Sequence, residues 1–97
     1  MKQIHTVYII DWRPIVRDGL KLTLEDNSNL KFIGESDRPY KAILDIDRLK
    51  PNIVLVNPFF PDYSGPDIVE MIRIFHNFCK IVVIESEVKK RLPNCSE

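Results

Sequence analysis

Residues 50–65 read KPNIVLVNPFFPDYSG, and the order of residue types in this stretch decides the fold class. Lys50-Pro51-Asn52 stops whatever precedes it, because proline breaks a helix and asparagine favours a turn. Ile53–Val56 is then an unbroken run of β-branched residues and leucine. That is the mark of a strand covered on both faces inside a parallel sheet. A proline-rich loop, Asn57–Gly65, follows at the carboxyl end of this strand.

The same alternation of strand and helix extends to both sides. Upstream, His5–Ile10 is a short apolar run that stops at Asp11, and Pro14 opens a helix in the first turn, where its missing N–H is not needed. Over Pro14–Glu25, Val16, Leu20 and Leu24 fall on one face, with Ile15 and Thr23 flanking. Asp26-Asn27-Ser28-Asn29 is a turn by composition. Leu30–Gly34 alternates as a half-exposed strand nearer an edge. A second helix over Pro39–Leu49 carries Ala42, Ile43, Ile46 and Leu49 on one stripe.

Downstream, Ser64 followed three residues later by Asp67 suggests a cap for a third helix over Pro66–Phe75, with Ile68, Met71, Ile72 and Phe75 toward the core. Ile81–Ile84 is another apolar strand. Residues 87–97 read as a short helix or tail, with helical turns possible from Ser86 to Leu92. Strands alternating with helices at short spacing predict an α/β fold of the doubly wound, parallel-sheet kind, in a single domain over 1–97.

Composition narrows the function classes. The 97 residues carry 14 basic and 14 acidic side chains for a net charge of zero, so no basic excess points to direct nucleic-acid binding. No apolar stretch approaches the ~20 residues needed to cross a membrane, and MKQIHTVYII lacks the pattern of a signal peptide. Two cysteines, Cys79 and Cys95, are too few for a disulfide framework, and a cytoplasmic location is expected.

Residues 9–36, IIDWRPIVRDGLKLTLEDNSNLKFIGES, are similar to the opening of NarL/LuxR-type response-regulator receivers, and residues 50–65 resemble that family's third strand, acceptor position and following loop. Gly19, Gly34 and Gly65 fall where the family commonly has glycine. The resemblance covers about residues 5–86. It implies a flavodoxin-like, CheY-like sheet, shortened here to the expected strand order 2-1-3-4 with the fourth strand at an edge.

The resemblance also assigns the pocket. A working receiver needs paired acids for magnesium, an acceptor aspartate, a hydroxyl residue and a lysine. Asp11 matches the first acid. Trp12 replaces the second and offers no oxygen. Asn57 stands at the acceptor position, and a neutral amide is a very poor nucleophile. Glu85 takes the hydroxyl position, with Ser86 one step beyond, and the lysine has no counterpart.

Phosphorylation is therefore not expected, no residue is assigned a catalytic role, and magnesium binding should be weak or absent. No other cofactor or metal is expected. Deamidation of Asn57 by the usual cyclic route is disfavoured, because Pro58 has no N–H to attack it. Asp62 suits a turn or cap better than an acceptor role.

Arg13 is placed to pair with Asp11 or Glu85, standing in for the missing cation and holding the pocket in one state. The bland alternative leaves Arg13 solvated and Trp12 merely covering a loop. Trp12, Phe59 and Tyr63 are candidate protein contacts around the pocket, weighed against simple local packing, while Phe60 reads as core. His5 and His76 stand apart from zinc-type ligand sets, no phosphate-binding glycine loop exists, and Lys89-Lys90-Arg91 reads as a solvated run.

The expectation is a non-enzymatic, phosphorylation-independent pseudo-receiver in two-component signalling and transcription regulation. Its partner would be a response regulator, a sensor kinase or itself. The alternative is the amino-terminal remnant of an atypical NarL/LuxR-type transcription factor.

Overall fold

The computed structural model of the chain describes residues 3–84, so Glu85, Ser86 and the expected 87–97 helix or tail lie outside the described residues. The elements run β1 (His5–Ile10), α1 (Pro14–Glu25), β2 (Leu30–Ser36), α2 (Pro39–Leu49), β3 (Ile53–Val56), α3 (Ile68–Phe75) and β4 (Lys80–Val83). All strand pairings are parallel, in the order β2-β1-β3-β4. The alternation of strands and helices predicts this parallel α/β sheet, and the family resemblance implies its CheY-like strand order.

Side-chain alternation along the strands divides the core in two. Val7 and Ile9 of β1 pack with Leu20 and Leu24 of α1 and with Ile53 and Leu55 of β3. On the other face, Tyr8 and Ile10 join Val54 and Val56 of β3, Ala42 and Ile46 of α2, and Ile68 and Ile72 of α3. Burying each such aliphatic side chain contributes roughly 1.5–3 kcal/mol.

Two local devices fix the register. Thr6 N–H donates to Asn52 Oδ1 (2.8 Å), while Asn52 N–H reaches both the Thr6 hydroxyl (3.0 Å) and its carbonyl (3.1 Å), pinning the start of β3 beside β1. Between β1 and β2 the register slips at Val7/Tyr8, which face Phe32 and Gly34, leaving Ile33 as the extra residue of a bulge. Gly34 has no side chain because a Cβ there would lie 2.9 Å from Cε1 of the Tyr8 ring.

Several boundaries differ from the sequence expectation. β2 runs on to Ser36, whose hydroxyl then donates to the Arg38 carbonyl (2.8 Å) and accepts from the Arg38 N–H (3.1 Å), closing the turn into α2. α3 starts at Ile68 rather than Pro66, because Asp67 and not Ser64 caps it, through a 2.9 Å bond from Val69 N–H. Phe75 faces outward at 65% exposure, and His76 takes the buried place expected for it. Ile68, Ile72 and His76 form one i, i+4, i+8 stripe, and Phe75 sits a residue off it. No helix among the described residues is long and apolar enough to cross a membrane.

Candidate functional site

In a parallel sheet of this kind, ligand sites form beyond the carboxyl ends of the strands. Two backbone bonds build that edge here. Asp11 N–H donates to the Ser36 carbonyl (3.1 Å), and Asn57 N–H donates to the Ile10 carbonyl (2.8 Å). The strand ladder thus continues one residue past β1 and β3, carrying Asp11 and Asn57 side by side into the protein, where both are buried.

Asp11 has no exposed surface, and its carboxylate is covered by a residue two positions along. Arg13 donates from its backbone N–H (2.9 Å) and Nε (3.0 Å) to Oδ1, and from Nη2 (2.9 Å) to Oδ2. The side-chain fork is a two-point, charge-assisted contact, the geometry that guanidinium supplies and a point cation does not. The amide of Asn57 also donates to this carboxylate, while its Oδ1 accepts from Phe59 N–H at 3.0 Å. Burial alone would push the Asp11 carboxyl up, but the bonds and charge of Arg13, with the Asn57 amide, hold it below the ordinary carboxylate range. Of the two partners considered for Arg13, the described structure shows Asp11, whereas Glu85 lies outside the described residues.

A second ionic group braces the same edge. Arg17 Nη1 donates to the Asp11 carbonyl (2.8 Å) and its Nε to Glu35 Oε1 (2.7 Å), and Lys21 Nζ reaches Glu35 Oε2 (2.6 Å). Burial raises the Glu35 carboxyl, and Lys21 and Arg17 more than reverse this, so it sits below its ordinary value. The sequence reading missed this group. Its only local signal was the i, i+4 spacing of Arg17 and Lys21 on α1, opposite the acid that ends the Gly34-Glu35 pair.

The aromatic residues separate into two contacts. Trp12 meets Phe59 edge-on, with centroids 6.5 Å apart, and both are partly exposed. Tyr63 does not join them. It packs edge-on against Phe60 at 5.8 Å, and its hydroxyl donates to the Pro66 carbonyl at 2.6 Å. Phe60 is core, as the family resemblance implies. Trp12, Phe60 and Tyr63, with the Asp37–Arg38 ion pair, line an open cavity of about 420 Å³. Asp62 stands in the left-handed region (φ 62°), exposed in the turn that follows Pro61.

Chemically, Asp11 and Asn57 offer one carboxylate already neutralised and one amide. Among the described residues, no cluster of three or more His, Cys, Asp or Glu is placed to hold a metal ion.

No protein-family model matches the chain. The transcriptional regulatory protein YdfI of Bacillus subtilis (strain 168) is 34% identical over 74 residues, covering 76% of this chain and 35% of that protein. The transcriptional regulatory protein BtsR of Escherichia coli (strain K12) is 27% identical over 70 residues, 72% of this chain and 29% of that protein. The chain therefore spans about a third of the length of the curated relatives it matches.

Among solved structures, the response-regulator domain of Thermotoga maritima CheB superposes with a TM-score of 0.77 at 18% identity, covering 87% of this chain and 62% of that one. The receiver domain of the putative response regulator NarL from Mycobacterium tuberculosis gives 0.75 at 20% identity, covering 86% and 67%. These structural likenesses show the fold. Together with the sequence relatives, they identify the chain as a receiver-like domain of the response-regulator type.

Proposed function

We propose that the chain is a phosphorylation-independent pseudo-receiver that works by binding another protein of a two-component system, a response regulator, a sensor kinase or a second copy of itself. One observation carries this reading: Arg13 closes over Asp11, the acid matching the family's first metal ligand, beside an amide at the acceptor position, Asn57. A guanidinium bonded to both carboxylate oxygens occupies the place a divalent cation would need. An amide cannot accept a phosphoryl group as a carboxylate does. The pocket then holds one charge state without ion or phosphate, and the surface around Trp12 and Phe59 is presented in one form.

Trp12 is the single tryptophan and stands between Asp11 and Arg13 in the chain, so its fluorescence is the probe of the pocket. Titration with magnesium, then with magnesium and beryllofluoride, should give no saturable change. Saturation at low millimolar magnesium would overturn the reading. Affinity capture from native cells, followed by mass spectrometry, should recover a response regulator or sensor kinase in stoichiometric amount.

A second reading takes the chain as the receiver part of an atypical NarL/LuxR-type transcription factor. It is favoured by relatives named as transcriptional regulators, of which the chain spans about a third. An immunoblot of native cells separates the two, since this reading requires a band well above the 11.4 kDa of the present chain.

A further inference from the structure

The two outer strands of the sheet are built differently. β2 carries a bulge at Ile33 and charges at Lys31 and Glu35, the devices that keep an edge strand from pairing with another chain. β4 reads Lys80-Ile81-Val82-Val83 and pairs with β3 in unbroken register, without proline and without a charge after Lys80. Val82 and Val83 are 39% and 43% exposed, one on each face of the sheet. Val82 stands beside Leu55 on the α1 face, and Val83 beside Val56 on the face covered by α2 and α3. Among the described residues, no strand pairs with the outer side of β4.

The backbone fixes what that side offers. Lys80 N–H donates to the Asn52 carbonyl (2.8 Å), and Ile84 N–H to the Val56 carbonyl (2.7 Å). Alternation along a parallel ladder therefore turns the N–H and C=O of Lys80, Val82 and Ile84 toward β3, and those of Ile81 and Val83 outward. This pattern is self-complementary. A second copy, related by a two-fold axis perpendicular to the sheet, brings its β4 alongside in the antiparallel sense. Ile81 then faces Val83 of the second copy, Val83 faces its Ile81, and each pair exchanges both N–H···O bonds. Val82 falls on the axis opposite its own equivalent, a cross-strand pair of β-branched side chains. Lys80 faces Ile84, so the two like charges are held at opposite ends of the contact. An extended peptide of another protein would also satisfy the backbone, but only a second copy supplies this match of residues, faces and charge from what β4 itself carries.

We propose that two copies of the chain join through β4, antiparallel and centred on Val82, so that their two four-stranded sheets become one continuous sheet. A second copy is among the partners of the proposed function, and the use of this dimer in signalling rests on that reading, whereas the pairing itself does not involve the Asp11 pocket. Because the strands of the two copies run in opposite directions, their carboxyl edges point to opposite ends of the joined sheet. Each pair of Trp12 and Phe59 therefore lies away from the contact. Pairing over so short a strand buries little surface, so the dimer is reversible and depends on concentration.

The test places a single thiol on the axis. In the full chain with Cys79→Ser and Cys95→Ser, Val82→Cys sets two thiols opposite each other at a Cα separation of ~4.5 Å, within the ~4.4–6.8 Å span of a disulfide. Mild oxidation should give a covalent dimer of twice the 11.4 kDa of the chain. Val83→Cys in the same background should not, because the residue opposite it is Ile81. Sedimentation equilibrium of the unaltered chain should show monomer and dimer in proportions set by concentration. Val83→Pro removes an outward N–H and no bond to β3, and should weaken association about tenfold, one hydrogen bond being lost at each end. Val82→Asp sets like charges against each other across the axis and gives the same reading if the proline variant fails to fold. A chain that stays monomeric when concentrated, or equal cross-linking through positions 82 and 83, would overturn the proposal. Slow exchange of the Ile81 and Val83 amides in a monomer would overturn it too, assigning the edge to residues 85–97. The magnesium titration of the pocket is read separately, so failure of the pairing and failure of the pseudo-receiver reading are told apart.

Discussion

The phenol of Tyr8 donates a 2.6 Å hydrogen bond to Oδ2 of Asp45, tying the buried centre of the sheet to α2. Asp45 also accepts from Lys41 (2.8 Å) and Arg48 (3.1 Å), so the bond ends on a carboxylate already held in place. Burial, then the bond to Asp45 and its charge, push the Tyr8 phenol above its ordinary value. The folded chain keeps that proton, while the unfolded chain releases it near pH ~10. Above that pH the unfolded state binds fewer protons, so this contribution is complete below pH ~10 and is lost as pH rises. Tyr8→Phe should cost about 1–2 kcal/mol at neutral pH. It should also flatten the alkaline fall in stability, read as urea midpoints on either side of pH ~10.

Removing the cover from Asp11 has the opposite pH signature. Arg13→Gln leaves a fully buried carboxylate without its cation, at a cost of about 2–3 kcal/mol. The cost falls below that of a wholly buried pair because Arg13 itself is partly solvated. In the parent chain the depressed Asp11 carboxyl contributes stability above the unfolded carboxylate range, and loses it as pH falls through the folded value. Acid unfolding below pH ~4 should therefore be shallower in Arg13→Gln than in the parent, followed by circular dichroism.

Restoring an acid at the acceptor position should not restore the chemistry. In Asn57→Asp the new carboxylate keeps the bond from Phe59 N–H but confronts Asp11 across a buried contact. Two carboxylates sharing a site cannot both ionise cheaply, so the variant should lose about 1–3 kcal/mol at pH ~7 and recover part of it near pH ~5. Incubation with acetyl phosphate and magnesium should add no phosphoryl mass while Arg13 and Trp12 remain. A stable gain of that mass would show that Asn57 alone silences the pocket.

Two glycines should respond in opposite directions. Gly19 lies inside α1 with nothing within 4 Å of a new Cβ, so Gly19→Ala should stabilise the chain by about 0.5–1 kcal/mol. At Gly34, a Cβ would press on Cε1 of Tyr8 at 2.9 Å and Cδ1 of Leu49 at 3.2 Å. The Tyr8 ring is anchored through Asp45 and has little room to give, so Gly34→Ala should cost about 1–3 kcal/mol. Thermal midpoints of the two variants provide the comparison.

The fold was readable where a single local rule decided the outcome. Pro14 and Pro39 both open helices, and the bare apolar run Ile53–Val56 marked an interior strand. It was less readable where two rules competed. Phe75 outranks His76 in hydrophobicity, yet only position 76 continues the stripe of Ile68 and Ile72, and helix geometry prevails over polarity. Ser64 and Asp67 both suit a cap, and the acid beside the first helical N–H groups takes the place. The Arg13–Asp11 contact was foreseeable because both partners sit in one turn. The Arg17–Glu35 and Tyr8–Asp45 bonds span 18 and 37 residues, and no periodicity announces such pairs.

The short reach between Asp11 and Arg13 bears on how a cell would regulate this domain. A counter-charge supplied by the same turn has fixed stoichiometry: dilution does not remove it, chelators do not strip it, and no rise in metal or phosphodonor is needed to install it. Under the locked-pocket reading the domain has one setting from the moment the turn closes. Output would then be governed by copy number, through synthesis and degradation, with abundance taking the place of modification as the variable signal.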